Sequence, residues 1–484
     1  MKQITFINGR DIPMELHRPV IVQKINLNPI EDRKKAIEGA GFNTFLLNTE
    51  SIFLDMLTDS GTNAMSNNQL AAMMQADEAY AGSSSFKRLE KSVCHFFNKK
   101  LFLPVHQGRA AEHILAQTFV KKGDVIPMNF HFTTTRAHIE FVGGKVEELI
   151  VDEVFKTKSK ELFKGNMDIK KLTQCIERVG KDKIPFIRME VTTNLTGGQP
   201  VSLDNIRKVK EVAKKWHIPV VIDACLIAEN AWFIKTREKG CEDMSIQEII
   251  HAISECGDII YFSGRKLGAA RGGGIITNTN EHFMKMRAFI PLFEGFLTYG
   301  GMSTKEIEAL AVGLNEFTDE TVISQMPRFI QHVVTELEKK HVPVVTPAGA
   351  LGVHIDAKKF LPHINQKQYP AGALVAALFL ISGIRGMERG TISTDRDITT
   401  KQEVPAELEL IRLAVPRRVF SLSHMEFLID RMVWLFKNRD LIGGLTFTEE
   451  PTVLRFFFGR LKPVSNWPEK LIAQFKKDFG EMSL

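Results

Sequence analysis

From about residue 59 to about residue 322, segments with helical periodicity alternate with short β-branched runs. Residues 202–223 show this most clearly. Ser202 can cap a helix, apolar residues follow at helical spacing, and His217-Ile218-Pro219 ends the segment. Val220-Val221-Ile222 then predicts a buried strand that ends at Asp223. This alternation favours an α/β fold with a mostly parallel sheet.

Two charged residues stand at the ends of predicted strands. Asp223 ends the strand just described, and Lys266 follows another strand, residues 259–262. The carboxyl ends of parallel strands are where such folds bind ligands, and a buried charge there needs a partner. Pyridoxal phosphate would supply both partners, because a carboxylate keeps its pyridine nitrogen protonated and a lysine forms an aldimine with it. Alternatively, Asp223 caps a helix and Lys266 is solvated.

Two nearby motifs suit the same cofactor. Gln107-Gly108-Arg109 predicts a turn that enters a helix, whose first N–H groups could bind a phosphate together with the Ser263 hydroxyl. An ordinary capped turn is the alternative. Phe132 precedes three threonines and an arginine, and its ring could stack on a planar cofactor. The same threonine-rich run could instead form an edge strand.

Composition limits the class of protein. Apolar types make up 44% of the 484 residues, which is ample for a buried core and unlike a disordered chain. The 63 basic and 57 acidic residues give a net charge of +6 without a dense basic block, so we expect no nucleic-acid partner. The longest apolar stretch, residues 371–381, is about half of a membrane-spanning helix, so we expect no membrane partner.

The first residues lack the apolar core of a signal peptide, and the five cysteines show no paired spacing. These features indicate a cytoplasmic protein. The length predicts two or three packed units. We expect an N-terminal arm (residues 1–58) that contributes to a small domain, a large cofactor-binding domain (59–322) and a small C-terminal domain (323–484). In the last, Pro370 introduces an apolar helix over residues 371–384, and residues 342–345 predict a short strand.

Many ordered motifs resemble one known family over nearly the whole chain. The sequence is similar to the β-eliminating lyases, the tyrosine phenol-lyase and tryptophanase group of pyridoxal-phosphate enzymes, and comes closer to the former. The matching segments include Leu57-Thr58-Asp59-Ser60-Gly61-Thr62, His106-Gln107-Gly108-Arg109, Phe132-Thr133-Thr134-Thr135-Arg136, Gly197-Gly198-Gln199-Pro200, Met387-Glu388-Arg389-Gly390, Ile411-Arg412-Leu413 and Leu454-Arg455-Phe456-Phe457.

The resemblance implies the pyridoxal-phosphate-dependent transferase fold (fold type I, like aspartate aminotransferase). In this fold a large domain with a mostly parallel sheet accompanies a smaller α+β domain. It also implies a small-molecule amino-acid substrate and a homotetramer with active sites shared between subunits. Pyridoxal phosphate is the implied cofactor.

The resemblance assigns roles to individual residues. Lys266 would hold the cofactor and remove the α-proton of the substrate, and Asp223 would pair with the pyridine nitrogen. Phe132 would stack on the ring, and Asn194 would hydrogen-bond its phenolic oxygen. The phosphate would be held by Gln107, Gly108, Arg109 and Ser263.

The substrate carboxylate would form a bidentate pair with Arg412. Tyr80 of a neighbouring subunit would protonate the leaving group, and Thr58 and Tyr299 would also line the site. This implies β-elimination from an L-tyrosine-like amino acid to phenol, pyruvate and ammonia. The alternative is diverged chemistry on the same fold, either transamination or elimination from tryptophan or an S-substituted cysteine.

Thr133 and Arg389 match the tyrosine phenol-lyase pattern, in which they contact the phenolic hydroxyl. Arg389 could instead form a surface salt bridge. Phe456 and Phe457 would give an apolar wall to an aromatic side chain.

Departures from the family adjoin the chemistry. Leu226 stands where the family has an arginine, and Cys225 stands where it usually has a hydroxyl. Gly61 and Glu78 match two ligands of a monovalent cation, K⁺, but Arg271 falls at the position of the third. Its guanidinium could occupy the place of the cation, so the resemblance leaves a K⁺ requirement open.

Overall fold

The computed structural model describes residues 4, 6, 7, 10–397 and 400–484. Within these residues the chain divides into two compact units. The first contains Met1–Asp59, Thr157–Ser159 and Arg328–Leu484. The second contains Ser60–Lys156 and Lys160–Pro327. The N-terminal segment therefore groups with the C-terminal third of the chain.

The strands are β1 (Leu54–Asp55), β2 (Leu101–Val105), β3 (Val125–Met128), β4 (Lys145–Glu148), β5 (Ile187–Glu190), β6 (Val220–Asp223), β7 (Ile259–Ser263), β8 (Gly273–Thr277), β9 (Gly352–Asp356), β10 (Ile384–Arg385), β11 (Met387–Arg389), β12 (Leu410–Ala414), β13 (Leu445–Glu449) and β14 (Arg460–Pro463).

The α-helices are α1 (Ile30–Gly39), α2 (Asn67–Met73), α3 (Ser84–Phe97), α4 (Gly108–Phe119), α5 (Thr133–Phe141), α6 (Ile169–Val179), α7 (Leu203–Trp216), α8 (Ile227–Arg237), α9 (Ile246–Cys256), α10 (Asn280–Arg287), α11 (Phe289–Phe293), α12 (Thr304–Glu316), α13 (Glu320–Ile323), α14 (Gln325–Lys339), α15 (Ala357–Phe360), α16 (Pro370–Ser382), α17 (Leu422–Lys437), α18 (Arg455–Phe458) and α19 (Trp467–Phe479).

The second unit is built on one sheet with the strand order β2-β8-β7-β6-β5-β3-β4. Strands β4, β3, β5, β6 and β7 run parallel, whereas β8 is antiparallel to both of its neighbours. Val220 and Ile222 of β6 pack in one apolar cluster, and Val221 packs in another. Because side chains alternate across a strand, the sheet is covered on both faces. The predicted α/β fold with a mostly parallel sheet is confirmed.

The helix and strand predicted over residues 202–223 are also confirmed. The Ser202 side chain accepts a hydrogen bond from the backbone N–H of Asn205 at 3.1 Å and caps α7. His217 ends the helix in the left-handed conformation, with φ of 57°. Strand β6 then begins at Val220 and carries Asp223 as its last residue.

The first unit contains an antiparallel sheet in the order β11-β12-β9 and a buried apolar helix, α16. The helix stops at Ser382, two residues before the predicted end, because Gly383 adopts a left-handed cap with φ of 69°. The strand predicted at residues 342–345 is wrong. Val344 forms only an isolated bridge to Ile355, since Pro343 has no N–H for a ladder. No helix among the described residues is long and apolar enough to cross a membrane.

Candidate active site

Asp223 lies at the carboxyl end of β6, in register with Glu190 of β5 and Tyr261 of β7. Its Oδ2 accepts hydrogen bonds from Arg188 Nη2 at 2.6 Å and from the Tyr261 hydroxyl at 2.8 Å. Its Oδ1 accepts from the backbone N–H of Cys225 at 3.0 Å. Three donors therefore fix the orientation of a buried carboxylate. Asp223 is not a helix cap, because the next helix, α8, has its N-cap three residues later.

Arg188 is the buried cation of this network, with a side chain that is 1% exposed. Its Nε donates to the Tyr261 hydroxyl at 3.0 Å, and its Nη1 donates to the Phe130 carbonyl at 3.1 Å. The same Nη1 lies 3.4 Å from Glu190 Oε2. Burial alone would lower the pKa of Arg188. The charges of Tyr261, Asp223 and Glu190 outweigh burial and hold that pKa well above its ordinary value.

Glu190 is a second buried carboxylate beside Asp223. Its Oε1 accepts a hydrogen bond from the backbone N–H of Asn194 at 3.0 Å. Burial raises the pKa of Glu190 to about 7, although Arg188 acts in the opposite direction. A carboxyl group with a pKa of about 7 gains and loses its proton near neutral pH.

A third carboxylate, Glu112 of α4, belongs to the same cluster. Thr134 and Thr135 donate to it through their hydroxyls at 2.5 and 2.6 Å. Burial, followed by the charge of Asp223, raises the pKa of Glu112. The cluster thus holds more acidic than basic groups, and burial raises the pKa of both Glu190 and Glu112, while Glu190 still ionises above about pH 7.

Four residues of this cluster were not predicted as site residues from the sequence: Arg188, Glu190, Glu112 and Tyr261. A usable signal existed for the first two, because they are charged residues inside a strand-like apolar run at residues 185–191. A charge in a buried central strand requires a partner from a neighbouring element. Which partner it meets depends on strand register, which is not readable from the sequence.

Lys266 lies in the loop that joins β7 to β8. This loop is held by its own backbone, since the Gly264 N–H donates to the Gly272 carbonyl at 2.7 Å and the Leu267 N–H donates to the Ser263 carbonyl at 2.9 Å. Lys266 is half-buried, and its Nζ lies 5.4 Å from the centroid of the Phe132 ring. The amine and the aromatic face are therefore neighbours.

Phe132 is the N-cap of α5, and Thr133 is the first residue of that helix. The alternative interpretation of this segment as an edge strand is wrong. The three threonines favour a strand locally, but tertiary context overrides such preferences, and here they form the first turn of a helix.

The start of α4 lies beside the same loop. Gln107 is its N-cap in an extended conformation, with no side-chain cap hydrogen bond, and Gly108 begins the helix. A Cβ on Gly108 would lie 3.0 Å from the Ser263 Cβ and 3.5 Å from the Cys225 Sγ. The helix start can approach Ser263 this closely only because residue 108 is glycine. The predicted turn into a helix is confirmed.

These residues fit pyridoxal phosphate. A fixed carboxylate suits a protonated pyridine nitrogen, and an amine suits an aldehyde. A helix N-terminus with a neighbouring hydroxyl suits a phosphate, and a phenyl face suits the ring. All of these groups belong to the second unit.

The first unit holds two buried arginines on adjacent strands. Arg412 of β12 is 3% exposed, and its Nη2 donates to the Leu57 carbonyl at 3.0 Å. Burial lowers the pKa of Arg412 to about 10, although Asp59 acts in the opposite direction. Arg389 of β11 is also buried. The interpretation of Arg389 as a surface salt bridge is therefore wrong, and its charge is placed in the interior of the unit.

An aromatic cluster in the same unit includes Phe456 and Phe457 of α18. Both rings stand edge-on to Phe45, at centroid distances of 5.6 and 5.0 Å. Glu388 and Phe456 are also among the residues that line one small cavity in this unit. Thr58, the other predicted substrate residue of this unit, is half-buried.

Tyr80 is a largely exposed tyrosine in the second unit, at 67%. Its ring stacks on Phe296 and stands edge-on to Tyr299, each at a centroid distance of 5.4 Å. Thr298 donates from its hydroxyl to the Tyr80 carbonyl at 2.9 Å. A hydrogen bond with Tyr80 raises the pKa of Tyr299. The two phenols therefore interact on an aromatic surface.

A guanidinium lies against Gly61, but it belongs to Arg265. The Gly61 N–H donates to the Arg265 carbonyl at 2.9 Å, and a Cβ on Gly61 would lie 2.5 Å from Arg265 Nη2. Arg271, the residue whose guanidinium could have taken the place of the cation, is exposed, and its Nε lies 3.6 Å from Glu306 Oε1. Glu78 is exposed. Within the described part of the chain, no cluster of His, Cys, Asp and Glu could hold a metal ion.

Comparisons with known proteins show the family of this chain. Residues 55–431 match the model of the beta-eliminating lyase family. A tyrosine phenol-lyase of Lacrimispora saccharolytica is 45% identical over 90% of this chain and 94% of its own length. A tyrosine phenol-lyase of Symbiobacterium thermophilum is 43% identical over 92% of this chain and 97% of its own length. One of Pasteurella multocida is 42% identical over 94% of this chain and 99% of its own length.

Solved structures with the same fold are more distant in sequence. A serine palmitoyltransferase from S. paucimobilis, with bound PLP–myriocin aldimine, is 10% identical with a TM-score of 0.56 and covers 81% of this chain and 89% of its own. A chain in the structure of a SepCysS–SepCysE N-terminal domain complex is 14% identical with a TM-score of 0.54, and the match covers 81% of this chain and 96% of that chain.

The fold is that of pyridoxal-phosphate enzymes of fold type I, as predicted. Within that class, the chain belongs to the β-eliminating lyase family.

Proposed function

We propose that this protein is a pyridoxal-phosphate-dependent lyase that converts L-tyrosine and water into phenol, pyruvate and ammonia. One observation carries the proposal. A chain that is 45% identical to a tyrosine phenol-lyase places Lys266 against Phe132, in the unit that fixes Asp223 by three hydrogen bonds. Transamination, and elimination from tryptophan or a substituted cysteine, gain no support from the relatives compared above.

In this proposal Asp223 accepts the hydrogen bond of the protonated pyridine nitrogen, and Lys266 carries the cofactor. Phe132 stacks on the ring, and Asn194 donates to its phenolic oxygen. The phosphate is held by the start of α4 and its neighbours, which are Gln107, Gly108, Arg109 and Ser263. Pyridoxal phosphate, when bound, supplies an electron sink for the charge left at the substrate α-carbon.

The substrate is held by a carboxylate pair with Arg412, whose burial makes the pair strong. Thr58 and Tyr299 line the site. Lys266 removes the proton from the substrate α-carbon. Tyr80 then delivers a proton to the ring carbon that leaves as phenol.

Thr133 and Arg389 recognise the phenolic hydroxyl of the substrate, and Phe456 and Phe457 pack on its ring. A buried guanidinium that is matched to a phenolic oxygen discriminates strongly, because a substrate without that oxygen leaves the charge unpaired.

Replacing Arg389 by methionine should lower kcat/KM for L-tyrosine by about 10²-fold or more. The same change should alter kcat/KM for S-ethyl-L-cysteine by less than about threefold, since that substrate has no phenolic oxygen. Pyruvate release from L-tyrosine, L-tryptophan and S-ethyl-L-cysteine measures both effects. The wild type should prefer L-tyrosine to L-tryptophan, and the opposite preference would overturn the proposed substrate. An equal loss on all three substrates would show that Arg389 only supports the fold.

We also propose that no K⁺ ion is required, because the Arg265 guanidinium supplies a positive charge against Gly61, which matches one of the family's cation ligands. The holoenzyme should keep its full kcat in a buffer whose only added cation is tetramethylammonium. Addition of KCl, with ionic strength held constant, should change kcat by less than about twofold. Activity that disappears without K⁺ and returns with it would contradict this assignment.

The protein is further proposed to act in the cytoplasm as a homotetramer with active sites shared between subunits. The exposure of Tyr80 supports a contribution of this phenol to a neighbouring subunit. The five cysteines, all free, support a reducing compartment. Sedimentation velocity of the holoenzyme tests the assembly.

A further inference from the structure

The network behind Asp223 continues to the backbone of Asn194. Arg188 Nη2 bonds Asp223 at 2.6 Å, and Arg188 Nη1 lies 3.4 Å from Glu190 Oε2. Glu190 Oε1 accepts the backbone N–H of Asn194 at 3.0 Å. Two residues on one strand thus connect the carboxylate proposed for the pyridine nitrogen with the residue proposed for the phenolic oxygen.

The residue at position 226 explains why the cation near Asp223 comes from another strand. Leu226, which stands where the resemblance places an arginine, is buried and apolar. No guanidinium can come from that position. Arg188 reaches Asp223 from the adjacent strand β5, and Glu190 balances its charge two residues along the same strand. Residues two apart on a strand point to the same face, so both side chains belong to one layer.

We propose that Arg188 and Glu190 are positioning residues that set the charge felt by the bound cofactor. Arg188 acts through Asp223, whose carboxylate it holds and partly neutralises. Glu190 acts through Arg188 and the Asn194 backbone, and its own charge adds to that of Asp223. The inference rests on the cofactor placement proposed above.

The direction of each effect follows from Coulomb's law. An ionised Glu190 stabilises a protonated nitrogen at the end of Lys266, and the charge of that lysine in turn acts on the Glu190 pKa. Removal of the Glu190 charge should therefore lower the pH at which the nitrogen at the end of Lys266 loses its proton in the holoenzyme. Weaker neutralisation of Asp223 by residue 188 should raise that pH. The charged or titratable groups of the cluster are Arg188, Glu190, Asp223, Lys266, Glu112, Tyr261 and Cys225.

The test is a pH titration of the visible absorbance of the holoenzyme in the absence of substrate. Glu190→Gln keeps the shape and removes the charge, and its midpoint should fall by about one pH unit. Arg188→Lys keeps the charge but cannot hold two carboxylates with one planar fork, and its midpoint should rise. Glu140→Gln, an exposed change of the same charge on α5, should leave the midpoint within about 0.2 units of the wild type.

Opposite shifts in the two variants are not expected from a purely structural role, which would change only thermal stability. If Glu190→Gln does not bind cofactor, the Arg188→Lys variant alone tests the inference, because its titration midpoint is expected to rise. If the wild type titrates normally but the midpoints of the cofactor-binding variants do not move, this inference is wrong. The proposed cofactor site would still stand. A wild type that gives no visible band with pyridoxal phosphate would overturn the proposed cofactor site and this inference with it.

Discussion

Replacement of Lys266 by alanine should abolish turnover, with kcat at least about 10⁴-fold below that of the wild type. The substitution removes both the covalent attachment of the cofactor and the group that takes the α-proton, and each of these contributes separately. The visible band of the holoenzyme should disappear as well. Single-turnover and steady-state pyruvate assays at saturating pyridoxal phosphate measure the loss.

Lys266→Arg is the matched control for this experiment. It keeps a positive charge near Phe132 but cannot form the covalent link. It should therefore be as inactive as the alanine variant while binding the phosphate end of the cofactor. If the alanine variant kept more than about a tenth of the wild-type kcat, Lys266 could not be the attachment and proton-transfer residue.

Replacement of Asp223 by asparagine should lower kcat by about 10³-fold, because a neutral amide does not hold the pyridine nitrogen in its protonated form. It should also destabilise the protein, since Arg188 would keep its charge in a buried place with one partner fewer. Loss of one partner of a buried ion pair costs about 3–5 kcal/mol in free energy of unfolding. Urea unfolding of apo and holo forms, together with the pyruvate assay, separates the two effects.

The control for this experiment is Asp204→Asn, which removes a carboxylate of the same length from an exposed pair with Lys208. Neither kcat nor the unfolding midpoint should change measurably, because exposed ion pairs contribute little. An Asp223→Asn enzyme with wild-type kcat would show that the pyridine nitrogen does not depend on this carboxylate.

The elements that carry the site were predictable where their determinants are local. Helical spacing, the Ser202 cap and the β-branched run at residues 220–222 are all read from consecutive residues, and α7 and β6 form as predicted. The position of Asp223 at a strand end follows directly. The roles of Arg389 and Arg412 came only from the family resemblance, and the strands β11 and β12 that carry them were not predicted.

What could not be predicted depends on pairing between distant segments. The contact of Arg188 with Asp223 joins residues 35 apart, through the register of β5 against β6. A shift of β5 by one residue would turn Arg188 to the face of the sheet opposite Asp223. Likewise, sequence position alone cannot show which arginine of a loop lies near Gly61. The resemblance drew attention to Arg271, whereas Arg265 lies there.

The most direct test of the proposed reaction is the product balance from L-tyrosine. The purified holoenzyme, supplied with L-tyrosine and no keto acid, should release phenol, pyruvate and ammonia in equal amounts. 4-Hydroxyphenylpyruvate that forms only when an acceptor keto acid is added, without any phenol, would contradict the account and identify the protein as a transaminase.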